Sequence, residues 1–255
     1  MTESNSKTAL VTGAGKRLGR AIALALGSQG WDIGVHYRDS AQEAEDTVQA
    51  LRALGRKAVA LRCDLADENA AAALPGRCAE ELEAPSCLVN NASLFSFDDV
   101  QSFSTASLWQ HMQVNLAAPL LLTQAMASQL PQGSQGVVIN LLDQKLANLN
   151  PDFLSYTLSK AALQTATTML AQALAPRLRV VGVAPGITMV SGQQSEEEFR
   201  RAHAMTPLGR SSSPEDIAAA VCFAANSPAI TGTTIYVDGG QHLLGLPRDV
   251  MFIAK

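Results

Sequence analysis

The stretch Ala9-Leu10-Val11-Thr12-Gly13-Ala14-Gly15-Lys16-Arg17-Leu18-Gly19 passes from an apolar, strand-like run through a turn of small residues into a helical pattern. Small residues at such a turn let the backbone approach a ligand. The helix that follows offers unpaired N–H donors and the positive end of its dipole, a seat for a pyrophosphate. A glycine turn alone also fits any tight strand-to-helix connection; its place at the head of a strand–helix series gives it weight. Strand-like runs recur at Thr8–Thr12, Asp32–Tyr37, Ala58–Cys63, Cys87–Asn90, Gly136–Leu142, Arg179–Ala184 and Thr234–Val237. They are almost continuously apolar, as parallel strands covered on both faces are. Helical patterns fall between them at Arg17–Gln29, Ser40–Leu54, Leu108–Leu130, Ser155–Leu174 and Pro214–Ala225. Ser40 and Ser213 stand where N-caps belong, Pro214 at a first helical position and Gly55 at a C-terminal stop. The alternation predicts an α/β fold, a doubly wound parallel sheet, in a single domain over 1–255.

Composition narrows the function classes. Of 255 residues, 47 % are apolar and 16 % charged, with a net charge of −4. That balance suits a globular core and offers no basic footprint for nucleic acid or an anionic membrane. No apolar run approaches the roughly 20 residues of a membrane span, and residues 1–7 carry no signal core. Cys63, Cys78, Cys87 and Cys222 form no CxxC pair and His is scarce near them, so neither a metal site nor redox chemistry is expected, and a reducing cytoplasm is the expected location.

Tyr156-Thr157-Leu158-Ser159-Lys160 sets a tyrosine and a lysine four apart on a predicted helix, hence on one face. A free phenol titrates near ~10, and a neighbouring ammonium lowers that value toward the range of useful proton exchange. Such a pair is common by chance; its position on the helix after the fifth strand sets it apart. Together with the glycine turn it resembles the short-chain dehydrogenase/reductase family. Thr12-Gly13 and Gly19 fit that family's TGxxxGxG turn, with Arg17 in place of the middle glycine. Cys63-Asp64-Leu65, Asn90-Asn91-Ala92, Asn115, Pro185-Gly186-Ile187-Thr188 and Val237-Asp238-Gly239-Gly240 fit its later motifs, so the likeness runs from about residue 8 to residue 240.

The resemblance implies a Rossmann-like sheet of strand order 3-2-1-4-5-6-7 and hydride transfer with a nicotinamide cofactor. Gly13, Lys16, Arg17, Leu18, Gly19, Tyr37, Arg38, Ser40, Asp64, Leu65, Asn91, Ala92, Tyr156, Lys160, Pro185, Gly186 and Thr188 would hold that cofactor. Tyr156 would donate the proton, Lys160 would lower its pKa and bond the nicotinamide ribose, and Asn115 would hold a relay water beside the lysine. The helices Leu108–Leu130 and Ser155–Leu174 would build the family's dimer contact, within a homotetramer. Lys16 and Arg38 suit a 2′-phosphate and Ser40 adds a hydroxyl, which favours NADPH. Asp39, twenty residues past Gly19, is discounted as a ribose ligand because it falls beyond the strand end beside Arg38.

Four departures point within the family. Where ordinary members carry a serine thirteen residues before the tyrosine, this chain has Asp143. An ionised carboxylate only accepts hydrogen bonds and cannot replace that donor. Asp143, Arg17, Ser93 and Phe95 resemble the pteridine reductases, which implies that these four and Tyr156 bind substrate, with Phe95 stacked on a flat heterocycle. The expected reaction is NADPH-dependent reduction of a pterin-like C=N bond, with Asp143 assisting. The alternatives are a carbonyl reductase such as a 3-oxoacyl reductase, and a non-catalytic NADPH-binding regulator. Met189–Met205 is expected as a substrate lid. The apolar tail 241–255 is expected at a subunit interface, with Arg248 near a neighbour's pocket.

Overall fold

The computed structural model describes residues 7–190 and 195–253. Seven parallel strands form one sheet: β1 Thr8–Val11, β2 Asp32–Tyr37, β3 Ala58–Arg62, β4 Cys87–Asn90, β5 Gly136–Leu141, β6 Leu178–Pro185 and β7 Thr234–Val237. Their order is β3-β2-β1-β4-β5-β6-β7, as the sequence predicts. Side chains alternate across the sheet. Ala9 and Val11 of β1, with Val137 and Ile139 of β5, face a core closed by α1 Arg17–Ser28, α2 Ala41–Ala53 and α8 Pro214–Asn226. Leu10 of β1 and Val138 of β5 face a second core, closed by α3 Glu68–Glu81, α5 Ala118–Gln129 and α6 Leu154–Leu174. Two covered faces explain the unbroken apolar runs. The connections reverse direction between β1 and β4, and a crevice opens there at the carboxyl ends of the strands.

Local chemistry sets the helix ends. Ser213 accepts from the Asp216 N–H while Asp216 accepts from the Ser213 N–H, a closed capping box with Pro214 behind it. Gly55 takes a φ of 75° after α2, which fits its reading as a stop. Ser40 occupies the N-cap position of α2 without making the side-chain cap bond, so that expectation is corrected. α3, unassigned in the sequence reading, starts at Asp67, whose carboxylate accepts from the Ala70 N–H. The predicted helix Leu108–Leu130 begins earlier, as α4 Thr105–Met112, and then widens through a π-turn over Gln113–Ala117 into α5. π-turns inside helices often mark functional sites.

Gly19 is where α1 meets the glycine turn. A Cβ there would press into the Gly13 carbonyl and the Asn91 amide nitrogen. Gly19→Ala is therefore expected to cost about 1–3 kcal/mol of stability by overpacking and to weaken cofactor binding, read by urea unfolding and NADPH titration. An alanine variant as stable as the parent would show that the turn has room to spare.

Among the described residues no helix is long and apolar enough to cross a membrane. Nor do any three His, Cys, Asp or Glu side chains there cluster as a metal site requires. The four cysteine thiols are free and buried, and burial pushes Cys78 and Cys87 up to about 12.

Candidate active site

The crevice holds two adjoining cavities. The larger, about 670 Å³, is lined by Gly13, Lys16, Arg17, Leu18, Gly19, Tyr37, Arg38, Ser40, Asp64, Leu65, Asn91 and Ala92. These are the residues expected around the adenosine and pyrophosphate. Lys16 caps α1 without a side-chain cap bond, and the helix has no acidic residue in its first turn. Its N-terminal amides therefore face the cavity with nothing anionic competing for them, which suits a pyrophosphate. The turn is braced from below. Asn91 donates to the Thr12 carbonyl at 2.8 Å, and the Thr12 hydroxyl accepts from the backbone N–H of Asn91 and of Ala92 at 2.9 Å.

His36 is a site residue that the sequence reading missed. It is buried, accepts from the Gly13 N–H at Nδ1 (3.0 Å) and reaches the Cys63 carbonyl through Nε2 (3.1 Å). A carbonyl only accepts, so Nε2 carries the proton and Nδ1 is free to accept. Burial pushes the imidazole down to about 4, and the neutral ring pins the glycine turn to β3. The available signal was a polar residue on an inward position of an otherwise apolar strand.

At the open end of this cavity Arg38 pairs with Asp39 at 2.7 Å, both side chains exposed. Asp39 lies beyond the end of β2, where the sequence reading put it, yet it lines the cavity. Arg38→Ala should lower the ratio of kcat/KM for NADPH over NADH roughly tenfold, the scale of one charge-assisted bond. Asp39→Ala, by freeing Arg38, should raise it. An unchanged ratio in Arg38→Ala would remove Arg38 from phosphate recognition.

The second cavity, about 260 Å³, is lined by Arg17, Ser93, Phe95, Asp143, Tyr156, Lys160, Pro185, Gly186 and Thr188. The Tyr156 hydroxyl donates to Asp143 Oδ2 at 2.8 Å, and the Lys145 N–H donates to Asp143 Oδ1 at 2.8 Å. Lys160 donates to the Leu141 carbonyl at 2.7 Å, and its ammonium stands 5.8 Å from the Tyr156 ring centroid. Phe95 stacks on Phe153 at 4.4 Å and meets the edge of Tyr156 at 4.8 Å. Two non-glycine residues with positive φ sit here: Arg17 (52°), opening α1, and Phe153 (57°), capping the helix that carries Tyr156. Strained backbone of this kind gathers at functional sites. Arg17 also donates to the Val190 carbonyl at 2.7 Å, tying the glycine turn to the loop after β6. The expected lid Met189–Met205 includes α7 Glu196–Ala204; its residues 191–194 lie outside the described ones.

The Asn115 side chain is buried and fully engaged. Its amide donates to the Leu94 carbonyl (2.9 Å) and the Ser159 hydroxyl (3.0 Å), and its carbonyl accepts from the Leu94 N–H (2.8 Å) and the Ser93 hydroxyl (3.2 Å). It fixes the Ser93–Phe95 loop against α6. The Tyr156 shift runs opposite to the one a neighbouring ammonium alone would give. Burial first, and then the Asp143 charge, raise the phenol well above its usual range. Burial raises Asp143 above the usual carboxylate range as well. Lys160 is pushed down to about 8 by burial. At neutral pH the site thus holds a neutral phenol, poised as a donor, and a mostly protonated lysine.

This Lys160 value gives a pH prediction. The ammonium is present below about pH 8 and lost above it, so kcat/KM should fall on the alkaline side with an apparent pKa near 8. In Lys160→Arg the guanidinium stays charged, and the alkaline fall should vanish from the accessible range. A wild-type profile flat to pH 10 would contradict this.

The tail also bears on the site. Arg248 forms a bidentate pair with Asp152 of its own chain (2.7 and 2.8 Å), and Asp249, Val250 and Met251 line the substrate-side cavity. The stretch over residues 254–255 lies outside the described ones.

Comparison with known proteins accords with this geometry. A family model described as Enoyl-(Acyl carrier protein) reductase matches residues 13–242. The chain is 32 % identical over 244 residues to the 3-oxoacyl-[acyl-carrier-protein] reductase FabG of Staphylococcus aureus, covering 93 % of this chain and 99 % of that protein. The crystal structure of FolM Alternative dihydrofolate reductase 1 from Brucella canis, complexed with NADP, is 38 % identical with a TM-score of 0.88, covering 93 % of this chain and 94 % of that one. A blue fluorescent protein from a metagenomic library, in complex with NADPH, is 31 % identical with a TM-score of 0.83, covering 92 % and 98 %.

Proposed function

Because this chain belongs to the short-chain dehydrogenase/reductase family, we propose that it is an NADPH-dependent reductase of a pterin-like heterocycle. The observation that carries this reading is the 2.8 Å hydrogen bond from Tyr156 to Asp143, a carboxylate where ketone reduction calls for a second hydroxyl donor. Its likeness to a FolM alternative dihydrofolate reductase adds support.

NADPH would be held along the larger cavity and would supply the hydride. The protein's part is protonic and steric. Tyr156 offers its proton to the ring nitrogen that gains charge as reduction proceeds. Asp143 accepts the hydrogen bond of the phenol and so holds the Tyr156 hydroxyl in place, and the proton that Tyr156 gives up is restored from solvent water. Lys160 sets a positive charge beside the phenol and offers N–H donors toward the nicotinamide ribose. The aromatic ring of Phe95 gives a flat substrate a surface to lie on. For a ketone the same arrangement is unfavourable: a carboxylate facing a developing alkoxide repels it instead of donating to it.

The test sets a dihydropterin against an acetoacetyl thioester, each followed by NADPH oxidation. The expected kcat/KM favours the dihydropterin by at least roughly tenfold, the least that one misplaced polar group costs. Fast thioester reduction without pterin turnover would overturn the reading and favour the 3-oxoacyl chemistry of the FabG relatives. Apolar side chains exposed on α4 and α6 (Trp109, Leu158 and Met169) support a further part of this reading, pairing of copies through these helices into a tetramer. Sedimentation tests it.

A further inference from the structure

The substrate-side cavity is closed in part by the segment that follows β7, and charge fixes that segment in place. Arg248 and Asp249 are adjacent and opposite in sign. Each finds its counter-charge on the stretch between β5 and α6 that also carries Asp143. Arg248 grips the buried Asp152 through two hydrogen bonds, and Asp152 also accepts from the Asp249 N–H at 2.7 Å. Asp249 accepts from Lys145 at 3.0 Å, a lysine that is only 4 % exposed. Swapping the two residues would put like charges in contact at both positions, so the pairing holds one register. Phe252 then packs edge-on to Phe97 (5.4 Å) and beside Phe153 (6.1 Å), on the aromatic cluster that bears Phe95. Val250 is buried against Ala202 of α7.

We infer that this clasped segment, Arg248–Phe252, is the specificity-determining wall of the substrate site: it limits the site to compact, flat molecules and excludes those with a bulky arm. This rests on the reading of the smaller cavity as the substrate site. At about 260 Å³ that cavity lies at the small end for ligand pockets, and Asp249, Val250 and Met251 form its outer side. The two ion pairs fix where Asp249 and Val250 stand against that cavity, so its width depends on their holding. Arg248 touches neither cavity and acts through the position of Asp249 and Val250. It is a positioning residue.

The experiment compares wild type with Arg248→Ala, Arg248→Lys and Phe252→Ala. The first readout is acrylamide quenching of bound NADPH fluorescence, which needs no turnover. The quenching constant should rise at least twofold in Arg248→Ala and Phe252→Ala, with a partial return in Arg248→Lys. The second is the kcat/KM ratio for a bulky over a small quinone, expected to rise at least fivefold in the same two variants. NADPH affinity should stay within twofold, because the larger cavity contains none of these residues. Quenching and size preference equal to wild type in both variants would overturn the inference. If dihydropterin is turned over by none of the four proteins while quenching still rises, the wall stands and the pterin reading falls.

Discussion

Replacing Tyr156 with phenylalanine should lower turnover roughly 10²–10⁴-fold, the usual worth of a positioned general acid, while NADPH still binds. The ring remains, so its edge contact with Phe95 is kept. What goes is the proton and the hydrogen bond to Asp143. Among the described residues Asp143 then keeps only the Lys145 N–H as donor, and its pKa should climb further because a hydrogen bond that favoured its ionised form is lost. The loss should appear in kcat at saturating substrate. A variant within a few fold of wild type would remove Tyr156 from the chemistry and would point to Asp143 as the acid.

Asp143→Ser should produce a reversal of substrate preference. Serine can donate but cannot store a proton near neutrality. Dihydropterin turnover should therefore fall roughly 10²-fold, the lower bound for losing acid–base assistance. β-Ketoester reduction should rise, since the buried anion that repelled an alkoxide has gone. NADPH affinity should hold, because Asp143 lines only the smaller cavity. Measuring both substrates with both proteins separates the two readings. A variant that keeps pterin turnover would show Asp143 to be a spectator.

The sheet was legible because all seven strands carry apolar residues toward two covered faces, a pattern that needs no tertiary information. The glycine turn and the Tyr156–Lys160 spacing are equally local. α3 was harder. Its run of alanines has little amphipathic contrast, and Pro75-Gly76 within it reads as a break, although burial on the sheet carries the helix through. The state of Tyr156 was not legible at all. Spacing shows a lysine within reach, but the direction of the shift depends on burial and on Asp143, and both come from packing. The Lys145–Asp249 pair joins residues 104 apart, and nothing in either segment names the other. His36 shows the same limit within a single strand: the sequence places it in β2, and its role appears only when Gly13 and Cys63 meet on either side of it.

The π-turn over Gln113–Ala117 has a consequence for how this chain can change in length. An α-helix advances about 100° per residue, and the widened turn accommodates one surplus residue without breaking the rod. It works as a phase adjuster. Before it, α4 is keyed to α6; after it, α5 is keyed to α3. Asn115 sits at the adjustment itself, holding the Ser93–Phe95 loop. Deleting one residue there would return the turn to a regular helix while leaving α5 in nearly the same phase. Leu122 and Met126 would stay on the core face, while Asn115 would lose the position from which it grips the loop. Elsewhere in the rod a lost residue would unscrew one half of a core from the other; here it would spare the core and loosen the site.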